Sequence, residues 1–242
     1  MSKAVTAAVL VVGDEILSGR TKDKNVGYLA DYLTAIGVDL KEARVVPDEE
    51  AEIVAALNAL RARYDYVFTT GGIGPTHDDI TADCVAKAFG VEISEDPRAI
   101  ALLLERFPEA DLNAARRRMA RIPHGAELVT NRISKAPGFW IGNVIVMAGV
   151  PSIMQAMMDE VGPKLRAGAK MHAMTLDSGG RPEGDYAAGL AEVARAHPGV
   201  AIGSYPSFKE GGGFQNQIVV RGRDLAQMEA AVAAARAMLA SL

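Results

Sequence analysis

The chain has 242 residues, of which 49% are hydrophobic and 23% charged, so its composition is that of a globular protein with one large or two small domains. Its net charge of −4 excludes a general attraction to nucleic acid or anionic membranes, and no apolar run has the length of a membrane span. The single cysteine, Cys84, excludes an intrachain disulfide. Because the first apolar run leads into charged residues and not into a cleavage site, we expect a cytoplasmic protein without a signal peptide.

Strands and helices alternate through the first part of the chain. Val5–Val12 is a continuous apolar run, typical of a central parallel strand, and Val38–Val46 and residues 64–68 follow as strands. Helical spacing of apolar residues lies between them, and a further helix is predicted over residues 80–89. This order predicts a three-layer α/β/α fold around a doubly wound, mostly parallel sheet.

A glycine-rich stretch, residues 69–81, joins the third predicted strand to the next helix. A strand, a glycine turn and a helix N-terminus together favour anion binding by backbone N–H groups. Asp78 and Asp79 lie at this positive end, and Asp14 and Glu15 follow the first strand at the same predicted sheet edge. Carboxylates beside an anion site indicate a phosphate ligand with Mg²⁺ or another divalent metal. The alternative is that Asp78 or Asp79 caps the helix.

The sequence allows two interpretations for several other polar residues. Asp48 either contacts the ligand or caps the helix that follows it. Arg20, Lys22 and Lys24 either reach phosphates or lie in a solvated loop. His77 is either an acid–base group or an exposed loop side chain.

The chain from residue 90 onward supplies a second possible ligand loop. Asp96 and Pro97 predict a helix start, and a further helix is expected over residues 109–121, which carries Arg116, Arg117, Arg118 and Arg121. Gly142 and Asn143 predict a hairpin between two short strands, and the second strand runs into Gly149 and Pro151. The three methionines of the following helix, Met154, Met157 and Met158, are expected in the core.

A domain boundary is predicted near residue 168. We expect one domain over residues 1–168 and a small α+β domain over residues 169–242, with the element order β-α-β-β-α. A flexible hairpin tip is predicted over residues 207–213.

The motifs resemble the molybdopterin-binding (MoCF, or MoaB/Mog-like) family. The resemblance is carried by the segments at residues 13–21 and 70–81, with support from residues 45–48, 135–139 and 147–151. Within that family they are similar to the branch that contains the N-terminal region of CinA proteins and a domain of eukaryotic FAD synthases. Ile73 and Asp78 stand where the molybdopterin adenylyltransferase branch has Thr and Arg, which favours the CinA-like branch. The tail resembles the KH-like domain of CinA proteins, without the Gly-x-x-Gly loop of RNA-binding KH domains, and no deamidase domain is expected.

The resemblance implies metal-dependent hydrolysis of a nucleotide pyrophosphate such as ADP-ribose or FAD, with release of AMP. The alternatives are molybdopterin adenylyl transfer and the binding of a pterin or adenine nucleotide without turnover. A homo-oligomer is implied, with no nucleic-acid or membrane partner. The predicted catalytic residues are Asp14, Asp78 and Asp79, which together with Glu15 are also the predicted metal ligands. The predicted binding residues lie in the motif segments and are Gly13, Glu15, Asp48, Thr70, Gly71, Gly72, Gly74, Pro75, Thr76, Lys135, Gly138, Gly149 and Pro151.

Overall fold

A computed structural model describes residues 4–208 and 213–242 of the chain. It divides into two compact units, Met1–Gly168 and Ala169–Leu242, which are described separately.

The first unit is built on a six-stranded sheet with the strand order β2-β1-β3-β8-β7-β6. The first four strands in this order pair in parallel, and β7 and β6 add antiparallel pairs at one edge. The expected α/β fold with a mostly parallel central sheet is therefore confirmed. The strands are β1 (Val5–Val12), β2 (Val38–Val46), β3 (Tyr66–Thr70), β6 (Glu127–Val129), β7 (Gly138–Ile141) and β8 (Val144–Met147). The predicted hairpin at Gly142 is present, since Ile141 pairs with Val144.

Helices cover both faces of this sheet. They are α1 (Asp14–Leu17), α2 (Asn25–Ala35), α3 (Glu50–Arg63), α4 (Thr81–Phe89), α5 (Pro97–Leu104), α6 (Ala114–Arg118) and α7 (Pro151–Val161). Alternate residues of β1 pack into different cores: Ala8 and Leu10 join α3 and α4, whereas Ala7 and Val9 join α2 and α7. The methionines of α7 are fully buried, so their predicted place in the core is confirmed. Cys84 is buried in α4, and burial raises the pKa of its thiol to about 12, which agrees with an inert side chain.

The predicted helix over residues 109–121 is wrong. A 3-10 turn at Glu109–Asp111 is followed by the short helix α6, because the Asn113 side chain accepts a hydrogen bond from the Arg116 N–H and starts a new helix there. Arg121 belongs to β5 (Arg121–Pro123), which pairs with β4 (Ile93–Glu95) in a separate two-stranded sheet. Two smaller differences are that β3 begins at Tyr66 and that α1 occupies a segment in which no helix was expected.

The second unit has the predicted β-α-β-β-α order. Its elements are β9 (His172–Asp177), α8 (Glu183–Ala196), β10 (Val200–Tyr205), β11 (Gln217–Gly222) and α9 (Leu225–Ala240). The three strands form an antiparallel sheet in the order β10-β11-β9, and its buried face packs against both helices. The KH-like assignment of this unit stays a prediction. The predicted flexible tip at residues 207–213 lies partly outside the described residues, which omit 209–212.

None of the helices within residues 4–208 and 213–242 combines the length and the apolar character needed to cross a membrane.

Candidate functional site

The carboxyl ends of β1, β3 and β8 meet at one edge of the parallel sheet. The Gly71 N–H donates a hydrogen bond to the Met147 carbonyl oxygen over 3.2 Å. A Cβ atom on Gly71 would lie 2.2 Å from the Val12 carbonyl oxygen, and one on Gly149 would lie 3.2 Å from the Gly71 Cα. The glycines therefore let three strand ends and their loops approach one another. Such an edge is where open α/β sheets bind ligands.

The glycine-rich loop after β3 offers three consecutive backbone donors. Within the part of the chain that the structure describes, the N–H groups of Gly72, Ile73 and Gly74 have no hydrogen-bond partner. The N–H of Gly71 is bonded to Met147, and that of Thr76 is bonded to the Asp79 side chain, so neither is available. Three consecutive N–H groups of this kind, at residues 72–74, form a geometry suited to an anion.

Asp79 closes this loop and does not cap α4. Its Oδ2 atom accepts the Thr76 N–H over 2.8 Å and also the Thr76 hydroxyl. The N-cap of α4 is Ile80, which makes no side-chain capping hydrogen bond, so capping by Asp78 or Asp79 is wrong. The Asp78 side chain remains 60% exposed, and the Thr76 hydroxyl and then the Asp78 backbone N–H lower the pKa of its carboxyl.

The alternative that Asp48 caps α3 is also wrong. The N-cap of α3 is Glu49, whereas the Asp48 Oδ2 accepts the Asp14 backbone N–H over 2.9 Å. Burial raises the pKa of the Asp48 carboxyl, and the bond from the Asp14 backbone opposes this. Three nearby carboxylates raise it further, namely those of Asp14, Asp78 and Asp79. The loops after β1 and β3 thus place the carboxylates of Asp14, Asp78 and Asp79 within electrostatic reach of Asp48, which follows β2.

The four predicted metal ligands do not form a ready-made cage. Among the described residues, no group of three or more His, Cys, Asp or Glu side chains is arranged to hold a metal ion. The Glu15 carboxylate is folded back against Gly13, where a Cβ atom would lie 2.4 Å from it, and Asp79 is engaged by Thr76. One or two of these carboxylates are enough for Mg²⁺, which completes its shell with water and substrate phosphates.

Arg118 holds the loop from the opposite side. Its Nε and Nη2 atoms donate to the Asp79 carbonyl oxygen over 3.3 and 3.0 Å, and its guanidinium lies 3.7 Å from Asp83. Arg121 makes a two-bond pair with Asp83 over 2.8 and 2.6 Å. Arg117 instead pairs with Glu95 on the surface. A cleft of about 320 Å³ lies here, named the arginine cleft, and is lined by Ile73, Gly74, Asp79, Ala82, Asp83, Arg118, Met119, Arg121, Ile122, Pro137 and Phe139.

A second cleft lies at the ends of β1, β3 and β8 and is named the strand-end cleft. It encloses about 330 Å³ and is lined by Val11, Val12, Glu15, Ile16, Thr21, Lys22, Asp23, Lys24, Asn25, Thr70, Gly149 and Pro151. Asn25 was missed in the sequence. The sequence shows Asn25 as a polar residue at the start of a helix, beside the charged turn. Such residues are common, so this pattern does not by itself indicate a ligand site.

The remaining predicted site residues lie at the same edge or on its rim. Pro151 is the first residue of α7, and Pro75 lies in the loop after β3. Gly138 begins β7, where a Cβ atom would lie 2.1 Å from the Val146 carbonyl oxygen, so close strand packing accounts for this glycine. The Lys135 Nζ pairs with Glu105 over 2.5 Å, and the His77 side chain is 99% exposed. A phosphate contact by Lys135 stays a prediction, as does acid–base catalysis by His77.

Two family models match the chain and divide it close to the boundary between the two units. Residues 8–167 match the model described as "Probable molybdopterin binding domain", and residues 170–242 match "FAD synthase, middle domain".

Two relatives support both matches. The chain is 40% identical over 160 residues to a CinA-like protein of Citrifermentans bemidjiense, covering 63% of this chain and 38% of that protein. It is 32% identical over 259 residues to a "Probable FAD synthase" of Caenorhabditis briggsae, covering 97% of this chain and 49% of that protein. The chain thus spans half or less of each of these two relatives.

A solved structure has the same fold as the first unit. The crystal structure of CinA from Thermoplasma acidophilum, titled as a protein of unknown function, matches with a TM-score of 0.63 and 34% identity. The match covers 66% of this chain and 98% of that one.

Proposed function

Because the chain belongs to the CinA-like branch of the molybdopterin-binding domain family, we propose that it hydrolyses the phosphoanhydride of an adenine dinucleotide. The observation that carries this proposal is the group of carboxylates beside three free backbone donors. The N–H groups of residues 72–74 suit a phosphate, and the loops after β1 and β3 bring Asp14, Asp78 and Asp79 within electrostatic reach of Asp48. A site that only binds an anion gains nothing from such repulsion.

The substrate class follows from the phosphate site and the second family match. Residues 170–242 match a domain of FAD synthases, and a relative described as "Probable FAD synthase" aligns with 97% of the chain. FAD is an adenine dinucleotide, and ADP-ribose has the same phosphoanhydride next to an adenylate. Both compounds therefore present the bond that this site is proposed to cleave.

The chain's own residues divide the work as follows. The N–H groups of residues 72–74 hold one phosphate, and the Thr76–Asp79 hydrogen bonds keep the loop in the shape that aims them. The exposed Asp78 carboxylate, which its lowered pKa keeps ionised, accepts a hydrogen bond from the attacking water and orients its oxygen toward the adenylate phosphorus, and the proton of that water passes to solvent. The bond from that phosphorus to the bridging oxygen breaks, which releases AMP and either FMN or ribose 5-phosphate. Asp14 and the free oxygen of Asp79 would hold Mg²⁺, whose charge, when bound, neutralises the phosphoryl oxygens.

The direct test is AMP release from ADP-ribose, FAD and NAD with Mg²⁺, separated by liquid chromatography. We expect AMP from the wild type, and loss of turnover in Asp14→Asn and Asp79→Asn. Asp31→Asn is the matched control, because Asp31 is an exposed aspartate of α2, which lies outside the carboxylate group. Absence of AMP with all three substrates, together with an adenylated product from molybdopterin and ATP, would refute the proposal in favour of adenylyl transfer.

The metal has a test that does not depend on activity. Since the carboxylates of Asp14, Asp78 and Asp79 repel that of Asp48, bound Mg²⁺ should relieve this repulsion and raise the melting temperature of the wild type more than that of Asp14→Asn. Equal shifts in the two proteins would show that Mg²⁺ does not bind at this group.

Binding of molybdopterin without hydrolysis is the second candidate. It is favoured by the description of the family that matches residues 8–167 and by the lack of a ready-made metal-ligand group among the described residues. Stabilisation by a pterin that a chelator does not reduce, with no product formed, would support it.

A further inference from the structure

The strand-end cleft contains two buried oxygen atoms that lack a partner. Thr70 is 1% exposed and Asn25 is 4% exposed, and both residues line the cleft. Among the described residues, neither the Thr70 Oγ1 nor the Asn25 Oδ1 has a hydrogen-bond partner. Buried polar groups in native proteins are nearly always bonded, so an exception needs an explanation. A ligand that donates hydrogen bonds to these two oxygen atoms would explain this exception.

The orientation of Asn25 makes it an acceptor toward the cleft. Its Nδ2 donates to the Gly149 carbonyl oxygen over 2.8 Å, which uses the amide nitrogen and assigns the opposite atom as oxygen. Asn25 is the first residue of α2 and Gly149 follows β8, so this bond also ties two walls of the cleft together. The ligand group that fits beside Oδ1 is therefore an N–H or O–H donor.

The rest of the cleft suits a neutral ring. Lys22 and Lys24 line it together with Glu15 and Asp23, so its positive and negative side chains balance. Nitrogen heterocycles such as adenine, flavin and pterin carry N–H donors on the ring or on an exocyclic amine.

We propose that the strand-end cleft binds the heterocyclic base of the ligand, with the Asn25 Oδ1 and the Thr70 hydroxyl as hydrogen-bond partners. The inference rests on the proposed function for the position of the phosphates, because Thr70 lies two residues before the N–H groups of residues 72–74. In that arrangement the base lies at the end of β3, and the phosphoanhydride lies at residues 72–74.

The chain offers a matched pair of variants for the test. Thr69 and Thr70 are adjacent residues of β3, both are buried, and both have a hydroxyl oxygen without a partner, but Thr70 lines the cleft and Thr69 is not among its lining residues. Valine has nearly the same shape as threonine and lacks the hydroxyl. Thr70→Ser keeps the hydroxyl and serves as the conservative variant.

Binding is measured with FMN, AMP and biopterin, which have no phosphoanhydride and so cannot be consumed by the proposed reaction. Flavin quenching reports on FMN, and calorimetry reports on AMP and biopterin. We expect Thr70→Val to lower the affinity for at least one of these ligands by about five- to tenfold. Thr69→Val and Thr70→Ser should bind as the wild type does. The ligand that is weakened identifies the base held in the cleft.

The melting temperature adds a second readout. Since the Thr70 hydroxyl has no partner among the residues that the structure describes, Thr70→Val should leave the melting temperature unchanged or raise it. A clear decrease would show that water or protein already satisfies the hydroxyl, and would overturn the inference. Equal effects of Thr69→Val and Thr70→Val on binding, or no binding of any probe to the wild type, would also overturn it. If Thr70→Val binds normally while AMP release persists, this inference fails and the proposed function stands.

Discussion

Replacement of Gly71 by alanine tests whether the glycine-rich loop is built by crowding between strand ends. Gly71 has a φ of 102°, a conformation that side chains rarely adopt. Its added Cβ atom would lie 2.2 Å from the carbonyl oxygen of Val12. That oxygen is backbone at the end of a central strand, and Val12 is 2% exposed, so it has little freedom to move. Gly149 packs against the same Cα atom from the opposite loop.

The expected loss of unfolding free energy in Gly71→Ala has two parts. A positive φ costs an alanine about 1–2 kcal/mol, and forced contact in a packed region adds about 1–3 kcal/mol. The sum, about 2–5 kcal/mol, is a large fraction of the roughly 5–15 kcal/mol that stabilises a typical domain. Gly90→Ala is the matched control, because Gly90 has a φ of 66° and no atom within 4 Å of its Cβ position. Gly90→Ala should therefore lose only the stability that the positive φ costs.

Urea unfolding followed by tryptophan fluorescence provides the measurement. The chain has one tryptophan, Trp140 in β7, so the signal reports on the unit that contains Gly71. We expect a lower midpoint for Gly71→Ala than for Gly90→Ala, with equal slopes. Equal midpoints would refute the assignment of Gly71 to strand crowding. Normal stability combined with weaker ligand binding would instead assign it to ligand approach.

Two further predictions concern the groups around the loop. Arg118→Ala should lower the free energy of unfolding by about 1–2 kcal/mol and reduce turnover, because it removes two hydrogen bonds to the Asp79 carbonyl oxygen. Arg117→Ala is the control and should change neither quantity by much. Equal effects of the two substitutions on urea unfolding and AMP release would contradict this prediction. Asp48→Asn should raise the melting temperature at pH 7, with the difference disappearing near pH 3. A raised carboxyl pKa means that the unfolded state ionises first as pH rises, so the wild type loses stability above about pH 4. A difference that does not depend on pH would show that the Asp48 charge is not the cause.

The sequence was sufficient where local pattern and tertiary structure agree. Strands β1 and β2 have the predicted bounds, since each is a stretch bounded by a glycine or a proline and β1 is continuously apolar. Asp48 shows the opposite case: its position favours a cap, but its partner, the Asp14 N–H, is 34 residues away. The interrupted helix over residues 109–121 also depends on a distant strand, because Arg121 pairs with Glu95. Long-range pairing of this kind leaves no local trace.

The same limit applies to Asn25 and Thr70. That Asn25 is polar and opens a helix is visible in the sequence, but that its Oδ1 is buried without a partner becomes visible only when β3, β8 and α2 are assembled. The absence of a partner is a property of the folded structure. A sequence motif therefore indicates the sheet edge at which a ligand binds, but not which atoms there remain available to it.

The three glycines of the loop illustrate this distinction most directly. A Cβ atom on Gly71 would meet the Val12 carbonyl oxygen. One on Gly72 would lie 2.1 Å from the Thr81 hydroxyl, and one on Gly74 would lie 2.6 Å from the Asp79 carboxylate. All three positions are thus accounted for by atoms of the protein itself, so a glycine-rich pattern is not in itself evidence for a ligand. A ligand is indicated instead by the groups that this packing does not engage: three N–H groups without a partner among residues 4–208 and 213–242, next to carboxylates that raise the pKa of Asp48. A phosphate that brings a divalent cation would satisfy both groups at once, which neither anion nor cation alone can do.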